Sequence, residues 1–306
     1  MDVLSDVVAA MRAGRPHSAR HYKYAPWGLR FAAAYEVGFH VVLRGSAWLI
    51  PQDGEPVALA PGDVVFLAHG LGHCLVSAPG VAVRDVALLP DGTWSGTAPE
   101  GPGEGCPDTV TLCGVYRLDR ERAHRLLAEL PEVVHLPARV GGHRSLQAAV
   151  ELLGMELEEQ RPGTDAIVTS LLDTLLLYIL RAWWESERAA GRARGWAAAL
   201  ADPAVAAALR AIHGAPARAW TVAELGAAGG LSRAAFARRF AALVGEPPLT
   251  YLTWWRMTTA SRLLRHDDLS LRQVAERTGY TSEFAFAKAF KREYGVAPGR
   301  YRRGVS

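Results

Sequence analysis

Cysteine is scarce in this chain, with three among 306 residues: Cys74, Cys106 and Cys113. Three cysteines are too few for a disulfide framework, which excludes the class of small disulfide-stapled secreted domains. We therefore expect a reducing compartment, where each thiol is a small buried hydrophobe, a redox group or a metal ligand. Cys74 and Cys106 are expected to be inert, with Cys106 in a loop of sequence GPGEGCPD.

Long uncharged apolar runs are also lacking. The best candidate, AIVTSLLDTLLLYIL, contains Asp173 and is followed by Arg181, so the sequence predicts no membrane span. The first residues, MDVLSDVVAAMRAG, carry Asp2 and Asp6 and no basic segment, unlike a secretory signal peptide. We expect a cytoplasmic protein. Its length, with 50% hydrophobic residues, is enough for two buried cores.

Charge is distributed unevenly along the chain. The formal net charge is +3, but residues from Trp196 onward hold 16 Lys and Arg against 8 Asp and Glu, a net of +8. Residues 1–195 hold 18 against 23, a net of −5. A basic C-terminal part is suited to contacts with nucleic-acid phosphates. An acidic N-terminal part is better suited to sensing or self-association.

The C-terminal part contains an internal repeat. Residues 281–303, TSEFAFAKAFKREYGVAPGRYRR, predict a helix with an N-cap at Thr281 or Ser282, an apolar edge of Phe286 and Phe290, and a basic outer face. The preceding LRQVAERTGY predicts a shorter helix ending in a glycine turn. Fifty residues earlier the pattern recurs in TVAELGAAGG and RAAFARRFAALVG. A repeated helix, turn and basic helix is typical of groove-binding DNA domains.

This repeated unit, with its joining segment PPLTYLTWWRMTTASRLLRHDD, resembles the DNA-binding domain of the AraC/XylS family of transcription regulators over residues 203–304. The resemblance implies two helix-turn-helix motifs whose second helices enter successive major grooves of double-stranded DNA. It assigns Arg238 and Lys288 to base edges and Ala234, Ala237, Glu283 and Ala287 to neighbouring groove-facing positions. The complete predicted DNA-binding set is Ser232, Arg233, Ala234, Ala237, Arg238, Ser282, Glu283, Ala287, Lys288, Lys291, Arg292 and Arg302.

The first half predicts short strands, in FHVVLRGSAWLI, PVALAPGDVVFLAH and HCLVSA, separated by turn sequences, which favours an antiparallel barrel or jelly roll. The runs FHVVLRGSAWL, APGDVVFL and HGLGHCL resemble the cupin sensor domain of one AraC-type subgroup. The chain is therefore predicted to be an α+β two-domain protein with an N-terminal β-barrel flanked by helices and an all-α C-terminal domain. The predicted boundaries are a barrel at 1–137, a helical dimerisation or packing segment at 138–187, a linker at 188–202 and the DNA-binding domain at 203–304.

The barrel contains candidate metal ligands. His21, His40, His73 and Cys113 stand in or beside four predicted strands that a small barrel brings together. Imidazole and thiolate ligands in this number suit tetrahedral Zn²⁺, so one zinc ion per chain is predicted. The alternative for each histidine is a hydrogen-bonded core or surface residue, and His69 is a rival to His73. The HxH pattern of cupin metal sites is absent from the sequence.

The segment TDAIVTSLLDTLLLYILRAWWESE, residues 164–187, is hydrophobic almost all round, with Thr164 as a candidate N-cap. Such a helix is buried beneath the barrel or against a second copy, so a homodimer is predicted.

Two functions remain open from the sequence. The first is a transcription regulator whose barrel senses an effector, a metal or an oxidant, and whose further partner is RNA polymerase if it activates. The alternative is a metal-dependent cupin-type enzyme joined to a DNA-binding domain. A catalytic metal needs an acidic ligand or base nearby, and Glu36 is the one close carboxylate in the sequence, which favours the regulator.

Overall fold

The computed structural model describes residues 2–11, 14–33, 37–87, 95, 106–118, 125–138 and 142–304. The chain divides into two compact units. We call Met11–Ala189 the sheet unit, and Met1–Ala10 together with Ala190–Ser306 the helical unit. The chain start is thus part of the helical unit, whereas the sequence assigned it to the barrel.

The sheet unit is built from short strands, as its alternating and β-branched segments predict. The strands are β1 (His17–Lys23), β2 (Gly28–Phe31), β3 (Val37–Arg44), β4 (Ala47–Pro51), β5 (Val57–Leu59), β6 (Val64–Leu67), β7 (His73–Val76), β8 (Arg84–Val86), β9 (Thr109–Tyr116) and β10 (Val134–Leu136). They form two five-stranded sheets, in the orders β1-β9-β3-β6-β10 and β5-β4-β7-β2-β8. The pairs are antiparallel except β2 with β8. Closure of these sheets into one barrel stays a prediction.

Buried side chains from both sheets form one core. Because residues directly opposite each other in an antiparallel pair point to the same face, the strand register fixes which side chains enter this core. Its members include Val42, Val65, Leu67 and Cys113 from the first sheet and Leu29, Phe31, Leu49 and Leu75 from the second. The core therefore lies between the two sheets. A polar residue that is paired with an inward-facing residue of the neighbouring strand also faces this core.

In the described part of the sheet unit, the strands are accompanied by the helices α2 (Arg125–Ala128), α3 (Arg144–Glu159) and α4 (Thr164–Ala189). Helix α4 packs against α3, β1 and β10, and it buries Leu172, Leu175, Leu176, Ile179 and Leu180. These side chains are therefore covered within one chain, whereas Ile167 of the same helix is exposed. By length and composition α4 could also cross a membrane, but a buried core helix passes that test equally well.

The helical unit begins with α1 (Val3–Met11) and continues through α5 (Gly195–Ala201), α6 (Pro203–Gly214), α7 (Val222–Ala228), α8 (Arg233–Val244), α9 (Pro248–His266), α10 (Leu271–Arg277), α11 (Glu283–Tyr294) and α12 (Pro298–Arg303). The predicted linker, 188–202, is mostly helical. Helix α4 extends to Ala189, and α5 buries Trp196, whose ring lies 5.6 Å from that of Tyr251.

The two halves of the helical unit repeat each other closely. Ser232 and Ser282 cap α8 and α11 by accepting a hydrogen bond from the backbone N–H three residues on. Gly245 and Gly295 end these helices with φ of 85° and 70°, a left-handed conformation that glycine adopts without a Cβ clash. The short helices α7 and α10 each begin with a reciprocal capping box. The repeat predicted from the sequence is thus present in the caps, turns and buried edges.

Candidate functional site

Helix α8 presents a polar face with small side chains. Phe236 and Phe240 are fully buried and hold the helix against the unit. The opposite side exposes Ser232, Arg233, Ala234 and Arg238, while Ala237 is half-buried. The five α8 residues predicted to contact DNA are therefore accessible to a partner to different degrees. The neighbouring Arg239 differs from them, because its guanidinium pairs with Asp202, the N-cap of α6.

Helix α11 presents the corresponding face at the other end of the repeat. Phe286 and Phe290 are fully buried in a core shared with α9 and α10. The predicted residues Ser282, Glu283, Lys288, Lys291 and Arg292 are exposed, and Ala287 is half-buried. Lys288 and Lys291 are three residues apart, so they lie on one face of the helix. The face is therefore cationic, with a single carboxylate near its N-terminus.

Arg302, also in the predicted set, is bound within the protein. Its Nη2 donates to the carbonyl oxygen of Leu269 at 2.6 Å, and its side chain is part-buried. This bond ties α12 to the segment before α10. A structural role for Arg302 is thereby supported, and its contact with DNA remains a prediction.

Sequence reasoning missed Phe284. Its side chain is 80% exposed, the largest value among the exposed large hydrophobic residues of the described chain. The signal was available, because Phe284 stands two positions before the buried Phe286, and two helical positions differ by about 200° around the axis. Phe284 therefore belongs to the outer face with Ala287, Lys288 and Lys291.

In the sheet unit, His40 and His73 meet. Their Nε2 atoms lie 2.7 Å apart although 33 residues separate them. His40 is on β3, opposite both Val65 and Cys113, and His73 is on β7, opposite Phe31. Packing of the two sheets brings these strands face to face. The Phe31 ring stacks on His73 at 4.7 Å, which fixes the plane of that imidazole.

The hydrogen bonds define the tautomers of this pair. His73 Nδ1 lies 3.0 Å from the Leu71 carbonyl oxygen, which can only accept, so Nδ1 carries the proton. Burial lowers the pKa of His73 to about 4, and burial together with His73 lowers the pKa of His40. Both rings are therefore neutral near pH 7. Nε2 of His73 is then an acceptor, and Nε2 of His40 donates to it.

A cavity of about 30 Å³ lies beside the two histidines and is also lined by Cys113. Such a volume holds about two water molecules. Cys113 Sγ lies 3.7 Å from Thr111 Oγ1, and burial raises the pKa of the Cys113 thiol, so it is protonated near neutrality. The cavity therefore combines two neutral imidazoles with one thiol in a space suited to an ion or a very small molecule.

His21 does not line this cavity, although it lies opposite Thr111 and so faces the same interior. Its Nε2 is buried without a hydrogen-bond partner, and burial lowers the pKa of His21 to about 4. His69 bonds to the Leu130 carbonyl instead and is not a rival ligand. Among the described residues, no group of three or more His, Cys, Asp or Glu stands in positions ready to hold a metal.

Lys23 was also missed by sequence reasoning. It ends β1 opposite Thr109, is only 7% exposed, and its Nζ lies 5.1 Å from the centre of the Trp27 ring. Burial lowers the pKa of Lys23, and its charge in turn lowers the pKa of Cys113. The interior thus carries a cation near the thiol, on the same strand as His21.

A hydrogen bond links the strand of Cys113 to α4. The buried Tyr116 hydroxyl, three residues beyond Cys113 on β9, donates to the Leu172 carbonyl oxygen at 2.9 Å. Strand β9 is therefore joined by a side-chain hydrogen bond to α4, the longest helix of the sheet unit in the described residues.

Comparison with known proteins identifies both units. A cupin family model matches residues 2–185, and a helix-turn-helix domain model matches residues 225–304. The chain is 37% identical over 305 residues to an AraC-like transcription regulator of Streptomyces lividans, covering 99% of this chain and 98% of that protein. It is 32% identical over 309 residues to the transcriptional regulator MtrA of Neisseria gonorrhoeae, with 99% and 98% covered.

Among solved structures, the DNA-binding domain of AdpA in complex with a target DNA shares 35% identity, covers 34% of this chain and 92% of its own, and has a TM-score of 0.32. The full-length relatives are transcription regulators and not enzymes, which removes the enzyme alternative. The chain belongs to the AraC/XylS family of DNA-binding transcription regulators, with a cupin domain at its N-terminus.

Proposed function

We propose that α7 with α8 and α10 with α11 are two helix-turn-helix motifs, and that α8 and α11 enter successive major grooves on one side of the DNA. The observation that carries this proposal is the repeat itself. Both second helices have a serine cap, two buried phenylalanines at matching positions and a left-handed glycine stop. Two copies of one groove-reading unit, joined by α9, suit two neighbouring grooves.

Each exposed residue has a role that follows from its chemistry. Arg238 and Lys288 end in donors that pair with guanine O6 and N7, and Glu283 can accept from the amino group of cytosine. Lys291 and Arg292, near the end of α11, are better suited to phosphate contacts, which carry affinity without sequence information. Ala234 and Ala237 allow close approach of α8 to the groove but supply no hydrogen bonds. We therefore expect more base reading from α11 than from α8.

We further propose that the cavity between His40, His73 and Cys113 receives the regulatory signal, and that the signal is a transition metal, Zn²⁺ being the first candidate. Two imidazoles and a thiolate are the ligand types that Zn²⁺ prefers. The lowered pKa values of the two histidines keep them neutral, as metal ligands must be. The hydrogen bond of His73 Nδ1 to Leu71 leaves Nε2 free to act as a ligand.

Binding would require a local change. Two nitrogens at about 2.05 Å from a tetrahedral ion are about 3.3 Å apart, whereas the two Nε2 atoms are 2.7 Å apart. The imidazoles must separate, the His40 proton must leave Nε2, and Cys113 must lose its proton. These steps couple occupancy of the cavity to movement of β3, β7 and β9. Through Tyr116 the movement of β9 would be felt by α4.

Direct oxidation of Cys113 is the second candidate signal. The raised pKa of the buried thiol argues against it, because the thiolate is the reactive form. A metal that displaces the thiol proton would itself create the thiolate.

We also propose that the regulator acts as a homodimer in the cytoplasm, with RNA polymerase as a further partner if it activates. Three large apolar side chains of α3 and α4 remain exposed, Leu152 at 54%, Met155 at 53% and Ile167 at 44%. Leu152 and Met155 share one face of α3. A second copy covering this face would place two DNA-binding domains on paired sites.

The experiment that tests the DNA proposal is selection of bound duplexes from random DNA with the full-length protein, followed by hydroxyl-radical footprinting. Two protected regions per protomer, about 10 base pairs apart on one side of the helix, are expected. Protection of one groove per protomer would mean that a single helix pair reads DNA. Failure to select any sequence above random DNA would overturn the proposal.

A further inference from the structure

Phe284 stands on α11 where a solvent-facing aromatic has no structural use. It is 80% exposed, whereas Phe286 and Phe290, which fix α11 in the unit, are 0% exposed. The N-terminus of the helix is held independently of it, by the Ser282 hydroxyl, which accepts from the Ala285 N–H. Removal of the Phe284 ring would therefore leave no cavity and break no cap.

The internal repeat supplies a comparison within the same chain. Ser232 and Ser282 are equivalent caps, so Ala234 of α8 is the equivalent of Phe284. Both are exposed at the second position of their helix. The fold thus accepts a methyl group at this position, and the ring in α11 requires another explanation.

The surroundings of Phe284 indicate DNA. Lys288 lies one helical turn beyond it and Lys291 nearly two, both exposed, so the ring stands in a cationic face. A protein-docking patch would be expected to combine several apolar side chains, whereas Ala287 is the apolar neighbour on this face. In the major groove, the C5 methyl of thymine is the apolar feature of the base edges, and phenylalanine packs against it.

We propose that Phe284 is a specificity-determining residue that packs on the C5 methyl group of a thymine in the groove read by α11. The proposal rests on the proposed entry of α11 into the major groove. Phe284 selects thymine at one position of the half-site read by α11. The contact removes the ring and the methyl group from water together, so its loss weakens binding by about tenfold, as for one mismatched base pair.

The test uses full-length protein and its selected operator, with thymines in both half-sites replaced one at a time by deoxyuridine, which lacks only the methyl group. One deoxyuridine in the α11 half-site should weaken binding by about tenfold. Phe284→Ala should weaken binding to the thymine operator equally and make it indifferent to that deoxyuridine. Ala234→Gly is the matched control, and it should leave the deoxyuridine effect in the α11 half-site unchanged.

Three results would overturn the proposal. The first is a Phe284→Ala protein that still loses affinity with the deoxyuridine operator as the unmodified protein does. The second is an equal loss on operator and random DNA. The third is unchanged DNA binding with lost transcription activation, which would make Phe284 a contact for a protein. Lys288→Ala distinguishes failure of the Phe284 proposal from failure of the proposed groove binding. If Lys288→Ala and Phe284→Ala both bind the operator normally, α11 does not enter the groove.

Discussion

The side chains of His213 and Asp6 join two helices of the helical unit, and the two residues are 207 positions apart in the sequence. His213 Nδ1, on α6, lies 3.3 Å from Asp6 Oδ2 on α1, and His213 Nε2 lies 2.7 Å from the Tyr251 hydroxyl on α9. The imidazole also stacks on Trp255 at 3.8 Å. One buried ring thus connects three helices of the helical unit.

This connection predicts a stability effect far from the DNA-binding face. Asp6→Ala should lower the free energy of unfolding of the helical unit by about 1 kcal/mol through loss of one hydrogen bond. His213→Ala should lower it by about 3 kcal/mol, because a buried ring is lost as well. Urea unfolding followed by tryptophan fluorescence measures both, with Asp53→Ala in an exposed turn as the control. A fragment of residues 196–306 lacks α1, so its helical domain should be no more stable than that of Asp6→Ala. A fragment as stable as the helical unit of the unmodified protein would refute the stabilising role of α1.

A second prediction distinguishes residues that contact bases from residues that contact phosphates. Arg238→Ala and Lys288→Ala should each weaken binding to the selected operator by about 1 to 3 kcal/mol and relax base preference at one position. Arg292→Ala should weaken operator and random DNA equally and make the dependence on salt less steep by about one unit. Fluorescence anisotropy over a series of salt concentrations distinguishes these outcomes. Equal losses on both DNAs for all three variants would contradict the assignment of base readers.

A third prediction is metal content. Full-length protein purified under reducing conditions should carry about one equivalent of zinc per chain. His73→Ala and Cys113→Ser should each reduce this stoichiometry, while His69→Ala, whose ring bonds to a carbonyl outside the cavity, should not. Elemental analysis gives the result without reference to DNA binding. Full zinc content in a His40→Ala, His73→Ala double variant would place the metal at another site.

A fourth prediction separates dimer contacts from core contacts on the helices of the sheet unit. Leu152→Glu and Met155→Glu should give folded monomers that bind DNA weakly, because both side chains are exposed. Leu176→Glu should unfold the unit instead, since Leu176 is buried in it. Sedimentation velocity and circular dichroism report the two effects. An unmodified protein that is monomeric at micromolar concentration would remove the dimer proposal.

A fifth prediction is loss of stability on acidification. The pKa values of His21 and His73 are lowered from 6.5 to about 4 in the folded protein, so the unfolded chain binds more protons between these values. Keeping these two histidines neutral contributes to the free energy of unfolding. This contribution is complete above pH 6.5 and is lost as the pH falls toward 4. On acidification from pH 7 to pH 5, each of the two histidines should lower the free energy of unfolding by about 2 kcal/mol. Urea unfolding of metal-free protein at the two pH values should show a smaller difference for His73→Gln; an unchanged difference would contradict the lowered pKa of His73.

The sequence by itself determined most of the helical unit. Its caps, paired phenylalanines and glycine stops are local signals, each contained within about one helix, so their spacing was sufficient to predict the repeat and its basic face. The exposure of Phe284 was missed, although the same helical period contained the signal for it. The family resemblance rested on these residues, and the full-length relatives confirm it.

Only the tertiary structure decided the arrangement of side chains inside the sheet unit. Strand alternation could place His40 and Cys113 on inner faces, but the 2.7 Å contact of His40 with His73 depends on how two sheets pack, and His21 at the next register position stays outside the cavity. Likewise, the hydrophobic pattern of α4 predicted that the helix is buried, but it did not decide whether the helix packs against its own chain or against a second copy. The docking of α1 through Asp6 and His213 joins residues that are 207 positions apart in the sequence. Contacts between distant segments depend on packing, which local sequence patterns do not encode.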